Sequence, residues 1–75
     1  MKQIVISIEE YEFFSIASCI QKEDSLYNKL HGQNIHVGDV LHLTVENRSL
    51  WCELFVRDIE FEDGTIWVDW IGDNE

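Results

Sequence analysis

Apolar and polar positions alternate with a period of two over residues 2–8, where Ile4, Ile6 and Ile8 interleave with Gln3, Val5 and Ser7. This pattern and its β-branched content predict a strand. Ser7-Ile8-Glu9-Glu10 then has the S-x-x-E form of a capping box, with Ile6 and Tyr11 placed to close as a hydrophobic staple, so a helix is expected to begin at Ser7. Glu9, Glu10 and Glu12 fall in its first turns, where the helix dipole favours negative charge. Phe13, Ile16, Ala17 and Ile20 follow at i, i+3, i+4 and i+7, a core stripe. After polar residues 21–24, Leu26, Tyr27 and Leu30 resume the same face. Two arrangements fit: one helix running to Leu30, or a break at Glu23-Asp24 with Asp24 capping a second short helix. Gly32 sits where a helix-terminating C′ residue belongs.

From Val40 onward the period is again two. Leu41, Leu43 and Val45 are expected to point inward on one strand, and Asn47-Arg48-Ser49 to turn the chain. A longer strand over residues 50–61 turns Cys52, Leu54 and Val56 inward. Ile59 and Phe61 are out of phase with that set, and a bulge near Arg57-Asp58 restores the register. Asp63-Gly64 is a hairpin turn signal, and Ile66, Val68 and Trp70 are expected inward on the closing strand. The order β-α-β-β-β predicts one α+β domain over residues 1–75. Its expected form is a curled antiparallel sheet, or a small partly open barrel, packed on one helix.

Composition supports a packed core without staples. Of 75 residues, 45% are hydrophobic and 12% aromatic, which argues against a disordered tail. Proline is absent, which suits a compact run of helix and hairpins. Cys19 and Cys52 lie in apolar surroundings and read as reduced core thiols rather than a secreted framework. Lys2 leads directly into the strand pattern, so no secretory leader is expected, and no run approaches a membrane span. A soluble cytoplasmic protein is the expectation.

Charge changes the picture most. Fifteen acids against five bases give a formal charge of −10. Direct DNA binding is not expected, because phosphate backbones need Lys and Arg to displace their counterions. Such a field steers the chain toward basic surfaces, and proteins that handle nucleic acid are rich in those. The plainer alternative is that net charge only keeps a small domain in solution.

Candidate chemistry is sparse. His31, His36 and His42 have neither zinc-ligand spacing nor the i, i+4 spacing of a helical pair, so no metal or other cofactor is expected. No serine or cysteine sits in a nucleophile elbow, and Gly38 is a lone turn glycine rather than part of a phosphate loop. Paired carboxylates must occur by chance among fifteen acids, so their proximity says little about acid–base work. A binding role is favoured over catalysis.

The outer face of the last hairpin is the most informative surface. With Cys52, Leu54 and Val56 inward, Trp51, Glu53 and Phe55 face out; Trp67 and Asp69 do the same on the closing strand. Beyond the bulge, Glu60 and Glu62 are expected to join them. Alternate residues on a strand stand about 6.6 Å apart, close to the step between successive phosphates of a nucleic-acid strand. Glu53, Glu60, Glu62 and Asp69 thus qualify as phosphate surrogates, and Trp51, Phe55 and Trp67 as anchors. Alternatively, Trp51 and Phe55 pack under the helix or the first strand, and the acids form an ordinary solvated face.

Residues 35–43, Ile-His-Val-Gly-Asp-Val-Leu-His-Leu, resemble the V-G-D-x-L-x-L turn and strand of PUA-like barrels, particularly the ASCH group. The G-x-K-x-x-E-x-R stretch of that group is missing, with Gln33 and Asn34 in its place. The resemblance implies a small curled barrel and transfers no functional residue. In kind, the short acidic chain is similar to small inhibitors encoded by phages, which block CRISPR or restriction machinery by imitating nucleic acid. The leading expectation is therefore an acidic inhibitor that binds the basic surface of a nucleic-acid-handling protein. The runner-up is a PUA/ASCH-like RNA- or nucleotide-binding module using Lys29, His31 or His36. A third is an acidic accessory subunit or antitoxin-like partner of a basic protein. A homodimer through the edge of the sheet stays open.

Overall fold

The computed structural model describes residues 1–74. Over these the fold is α+β, with elements β1 (Gln3–Ile8), α1 (Glu10–Ser15), β2 (Cys19–Gln21), α2 (Ser25–Leu30), β3 (Val40–Val45), β4 (Trp51–Glu60) and β5 (Thr65–Asp73). The strands form one mixed sheet in the order β1-β3-β4-β5-β2, curled into a half-barrel. The β3-β4-β5 meander is antiparallel as expected, while β1 runs parallel to β3 and β2 antiparallel to β5.

The concave face holds the core. Ile4, Ile8, Leu41, Leu43, Val45, Cys52, Leu54, Val56, Ile66 and Val68 are buried in one cluster with Phe13 of α1 and Leu26 and Leu30 of α2. The inward sets expected of the three C-terminal strands are the buried ones, except Trp70. Trp70 remains 42% exposed at the rim, meeting Phe13 edge-on at 5.9 Å.

The N-terminal half departs from the sequence pattern. Ser7 does not cap a helix; it continues β1 opposite Thr44, which carries the strand on to bury Ile8 opposite Val45. The helix begins at Glu10, and the Glu12 carboxylate reaches back to accept from the Glu9 N–H at 2.9 Å. It stops after Ser15, with Ile16 extended at φ −67° and ψ 126°. Ile20 is buried from β2, opposite Ile66, rather than from the helix. Ile20 fits the helical stripe, but pairing of residues 19–21 with β5 places it in a strand, an override of local pattern by tertiary contact. A second helix does begin after Asp24, but Asp24 makes no side-chain cap bond, and the two helices are separated by β2 rather than by a break at Glu23-Asp24.

Two irregularities shape the β4–β5 pair. The register steps from Val56↔Val68 to Asp58↔Trp67, leaving Arg57 as the extra residue of the expected bulge. It steps again from Glu53↔Gly72 to Leu54↔Trp70, with Ile71 extra on β5. The bulge brings Ile59 back against the core, but Phe61 lies in the following turn and is 80% exposed. Gly64 closes that turn at φ +65°, where a Cβ would also stand 2.8 Å from Lys22 Cβ. Glycine is thus required there on two counts.

The V-G-D turn is a structural knot. Asp39 is buried, its carboxylate accepting from the Lys2 N–H at 3.1 Å and the His36 N–H at 2.9 Å. Gly38, at φ +96°, donates its N–H to the Val56 carbonyl at 2.8 Å. The His36 amide, partly offset by burial and aided by Lys2, holds the Asp39 carboxyl below its ordinary pKa.

No helix among the described residues is long and apolar enough to cross a membrane. Cys19 and Cys52 are free. They sit two strands apart in the sheet, too far for a disulfide without moving the backbone.

Candidate partner-binding face

Both helices pack on the concave side, so the convex face of the sheet is left uncovered. Strand register arranges it in rows. Gln3, Val40, Phe55 and Asp69 form one row, and Val5, His42, Glu53 and Gly72 the next. Across the Arg57 bulge come Asp58, Trp67 and Cys19, then Glu60, Thr65 and Gln21. Trp51, Glu53, Phe55, Glu60, Trp67 and Asp69 therefore share this face. Glu62 does not: β4 ends at Glu60, and Glu62 lies exposed in the hairpin turn. The aromatics Trp51, Phe55 and Trp67 are partly buried on this face.

The carboxylates here are not bare. Glu53 Oε2 accepts from Gln3 Nε2 at 2.9 Å and lies 3.3 Å from His42 Nδ1. The His42 ring stacks on Trp51 with centroids 5.4 Å apart. Trp67 Nε1 donates to Glu60 Oε1 at 3.2 Å. Arg57 Nε donates to Asp69 Oδ1 at 3.3 Å, while its guanidinium stands 5.8 Å from the Trp67 ring centroid. Glu60, Trp67, Arg57 and Asp69 thus make one contact chain across the bulge. Exposed contacts of this kind add little stability, at most about 1 kcal/mol each. Their effect is to hold acids and aromatic rings in set positions.

Arg57, His42 and Gln3 belong to this face although sequence reasoning assigned them no part in it. Arg57 was legible only as a bulge residue, and His42 only as an isolated histidine. Their partners lie 12 and 11 residues away along the chain, and a register is needed to bring them together.

A second polar centre joins the two helices. Glu12, almost fully buried, takes Lys29 Nζ at 2.7 Å on one oxygen and the Ser25 hydroxyl at 2.7 Å on the other. Burial pushes its pKa up, but Lys29, the Glu9 amide and Ser25 together outweigh this and hold it below the ordinary value. The hydrogen bond to Glu12 in turn raises Lys29. A carboxylate so stabilised is a poor proton acceptor, so Glu12 and Ser25 form a clasp between α1 and α2 rather than a base and its nucleophile. A cleft of about 370 Å³ opens beside it, bordered by Tyr11, Ser15, Cys19 and Glu23.

The histidines divide. His31 and His36 border a different cleft, of about 340 Å³, with Tyr27, Asn34 and Phe61. Lys29 is turned away to Glu12. Among the described residues no three His, Cys, Asp or Glu side chains are grouped to hold a metal ion. Compared with protein-family models, curated proteins and solved structures, the chain finds no match. The functional reading therefore rests on geometry and charge.

Proposed function

We propose that this chain is a non-catalytic acidic module that docks on the basic surface of a nucleic-acid-handling protein and inhibits it. The observation that carries this reading is the uncovered convex face, where Trp51, Phe55 and Trp67 alternate with Glu53, Glu60 and Asp69. Each of those carboxylates has a hydrogen-bonding partner on the same face. Fixed carboxylates meet a basic groove with little ordering cost, and half-buried aromatic rings supply contact area that is already immobile. The net charge of −10 adds long-range steering toward such a groove. Glu62 contributes to that field from the hairpin tip instead of from the sheet.

The test is capture from bacterial lysate at low and high salt, with bound protein and bound nucleic acid both quantified. Salt-sensitive recovery of a DNA-handling protein, weakened by the paired changes Glu60→Lys and Glu62→Lys, supports the reading. Recovery undiminished by that pair sinks the charged-face idea.

A second reading is favoured by the cleft between α2, the following loop and the β4–β5 hairpin. Its border of Tyr27, Phe61, His31 and His36 suits the stacking and hydrogen bonding of a nucleotide or of single-stranded RNA. Recovery of RNA without any protein partner would establish that alternative over the first.

A further inference from the structure

The half-barrel has two free edges, and they differ. At β2 the edge is three residues long. The outward N–H of Gln21 donates to Asp24 Oδ2 at 2.9 Å, and its carbonyl accepts from the Asp24 N–H at 2.8 Å. That edge is short and capped. At β1 the carbonyls of Lys2 and Ile8 both accept from the β3 side, from Val40 and Glu46. Because backbone groups alternate sides along a strand, Ile4 and Ile6 also face β3. The N–H and C=O groups of Gln3, Val5 and Ser7 then line the open edge, where no hydrogen bond reaches them among the described residues. All three residues are exposed.

This edge lacks the usual guards. Residues 3–8, Gln-Ile-Val-Ile-Ser-Ile, carry no charge, no proline and no bulge. They are β-branched at four positions, the composition of a strand that adds readily to another. Charge sits only at its flanks: Lys2 at the start, Glu9 and Glu10 at the finish.

We propose that β1 pairs antiparallel with β1 of a second copy of this chain. Antiparallel pairing sets the basic start of each strand beside the acidic end of the other, whereas parallel pairing would set acid on acid. Outward-facing residues must meet outward-facing residues, which centres the contact on Val5 opposite Val5, with Gln3 opposite Ser7 on either side. About six backbone hydrogen bonds result. On the concave side, Ile4 of one copy lies over the half-buried Ile6 of the other, an apolar contact β1 lacks alone. On the convex side, the Val5-His42-Glu53 row runs unbroken across the two-fold axis. The contact is isologous and consumes both long edges, so it closes at two copies. The capped β2 edges do not extend it.

Its salt response is opposite to that proposed for the basic partner. Two copies of charge −10 repel at long range, so added salt should tighten self-association while it weakens binding to a basic surface. Failure of one proposal therefore leaves the other standing.

Sedimentation velocity over a concentration series tests this, with hydrogen exchange as a residue-level readout. The expected result is a monomer–dimer equilibrium in which the Val5 amide becomes protected as concentration rises. The Ile6 amide, bonded toward β3, should be protected throughout. Val5→Lys sets like charges opposite each other across the axis; its side chain is exposed and its N–H makes no native bond, so the monomer fold is unaffected. It should remain monomeric with an unchanged circular dichroism spectrum. Lys2→Glu should weaken the dimer severalfold. A wild-type chain that stays monomeric at every concentration overturns the proposal, and so does a dimer that survives Val5→Lys.

Discussion

The two faces of β4 are built from the same ten residues and behave as different materials. Cys52, Leu54 and Val56 are fully sealed, each closed over by neighbours on β3 and β5. Trp51, Glu53 and Phe55, one position away, are half-open and tied to one another's surroundings by polar contacts. Stability therefore resides on the concave side, while the proposed docking role falls to the convex side. Substitutions on the two faces should separate into two classes with little overlap.

The largest expected effect is on the concave face. Leu54→Ala removes a fully enclosed side chain and should cost about 3 kcal/mol in urea unfolding, a large part of the stability of so small a domain. A loss below about 1 kcal/mol would mean that the core collapses around the gap. Next comes the clasp between the helices. Glu12→Ala leaves Lys29 and Ser25 without their acceptor and should cost about 2 kcal/mol, below the value for a fully buried pair because Lys29 is about one-third exposed.

Acid should act through the same groups. Glu12 and Asp39 both have folded-state pKa values below the ordinary carboxylate range. Their contribution is present above roughly pH 4.5 and is lost as pH falls through the depressed folded values. Urea midpoints measured down that range should fall, and Glu12→Gln should flatten the slope. An unchanged slope would remove Glu12 from the account.

The smallest stability effects belong to the convex face. Arg57→Ala and Glu60→Gln should each shift unfolding by less than about 1 kcal/mol, since the pairs are exposed. Binding to a basic partner should nevertheless respond: Arg57→Ala frees Asp69 and removes a positive charge, which should speed association at low salt. If Arg57→Ala instead unfolds the protein, the two faces are not separable.

Legibility in the sequence followed the range of the interactions. Leu41, Leu43, Val45, Cys52, Leu54 and Val56 were readable because period two has one buried solution, and the phase slip at Ile59 exposed the Arg57 bulge. Phe13, Ile16, Ala17 and Ile20 misled because they fit a helical stripe, although of the four only Phe13 lies in the helix and Ile20 lies in a strand. Only pairing with β5, more than forty residues away, decides between them. The parallel β1–β3 pair was likewise invisible, since nothing local marks which strand will lie beside the first. For the candidate face, membership followed from the inward set, but the contacts of Glu53 with His42 and of Asp69 with Arg57 did not. Glu62 was misplaced because alternation was carried past the end of the strand at Glu60.

The two thiols turn this architecture into a clock. Burial, with Asp73 and Glu53 adding to it, pushes the Cys52 thiol up to about 11. Enclosed on β4, it is out of reach of an alkylating reagent while the sheet is intact. Cys19, partly buried beside the first cleft, is the more accessible of the two to the same reagent in the native state. A single modification should therefore appear quickly, and the second only at the pace at which β4 is uncovered. Mass spectrometry of a timed reaction would then read the opening rate of the core from the unaltered chain, with no probe introduced.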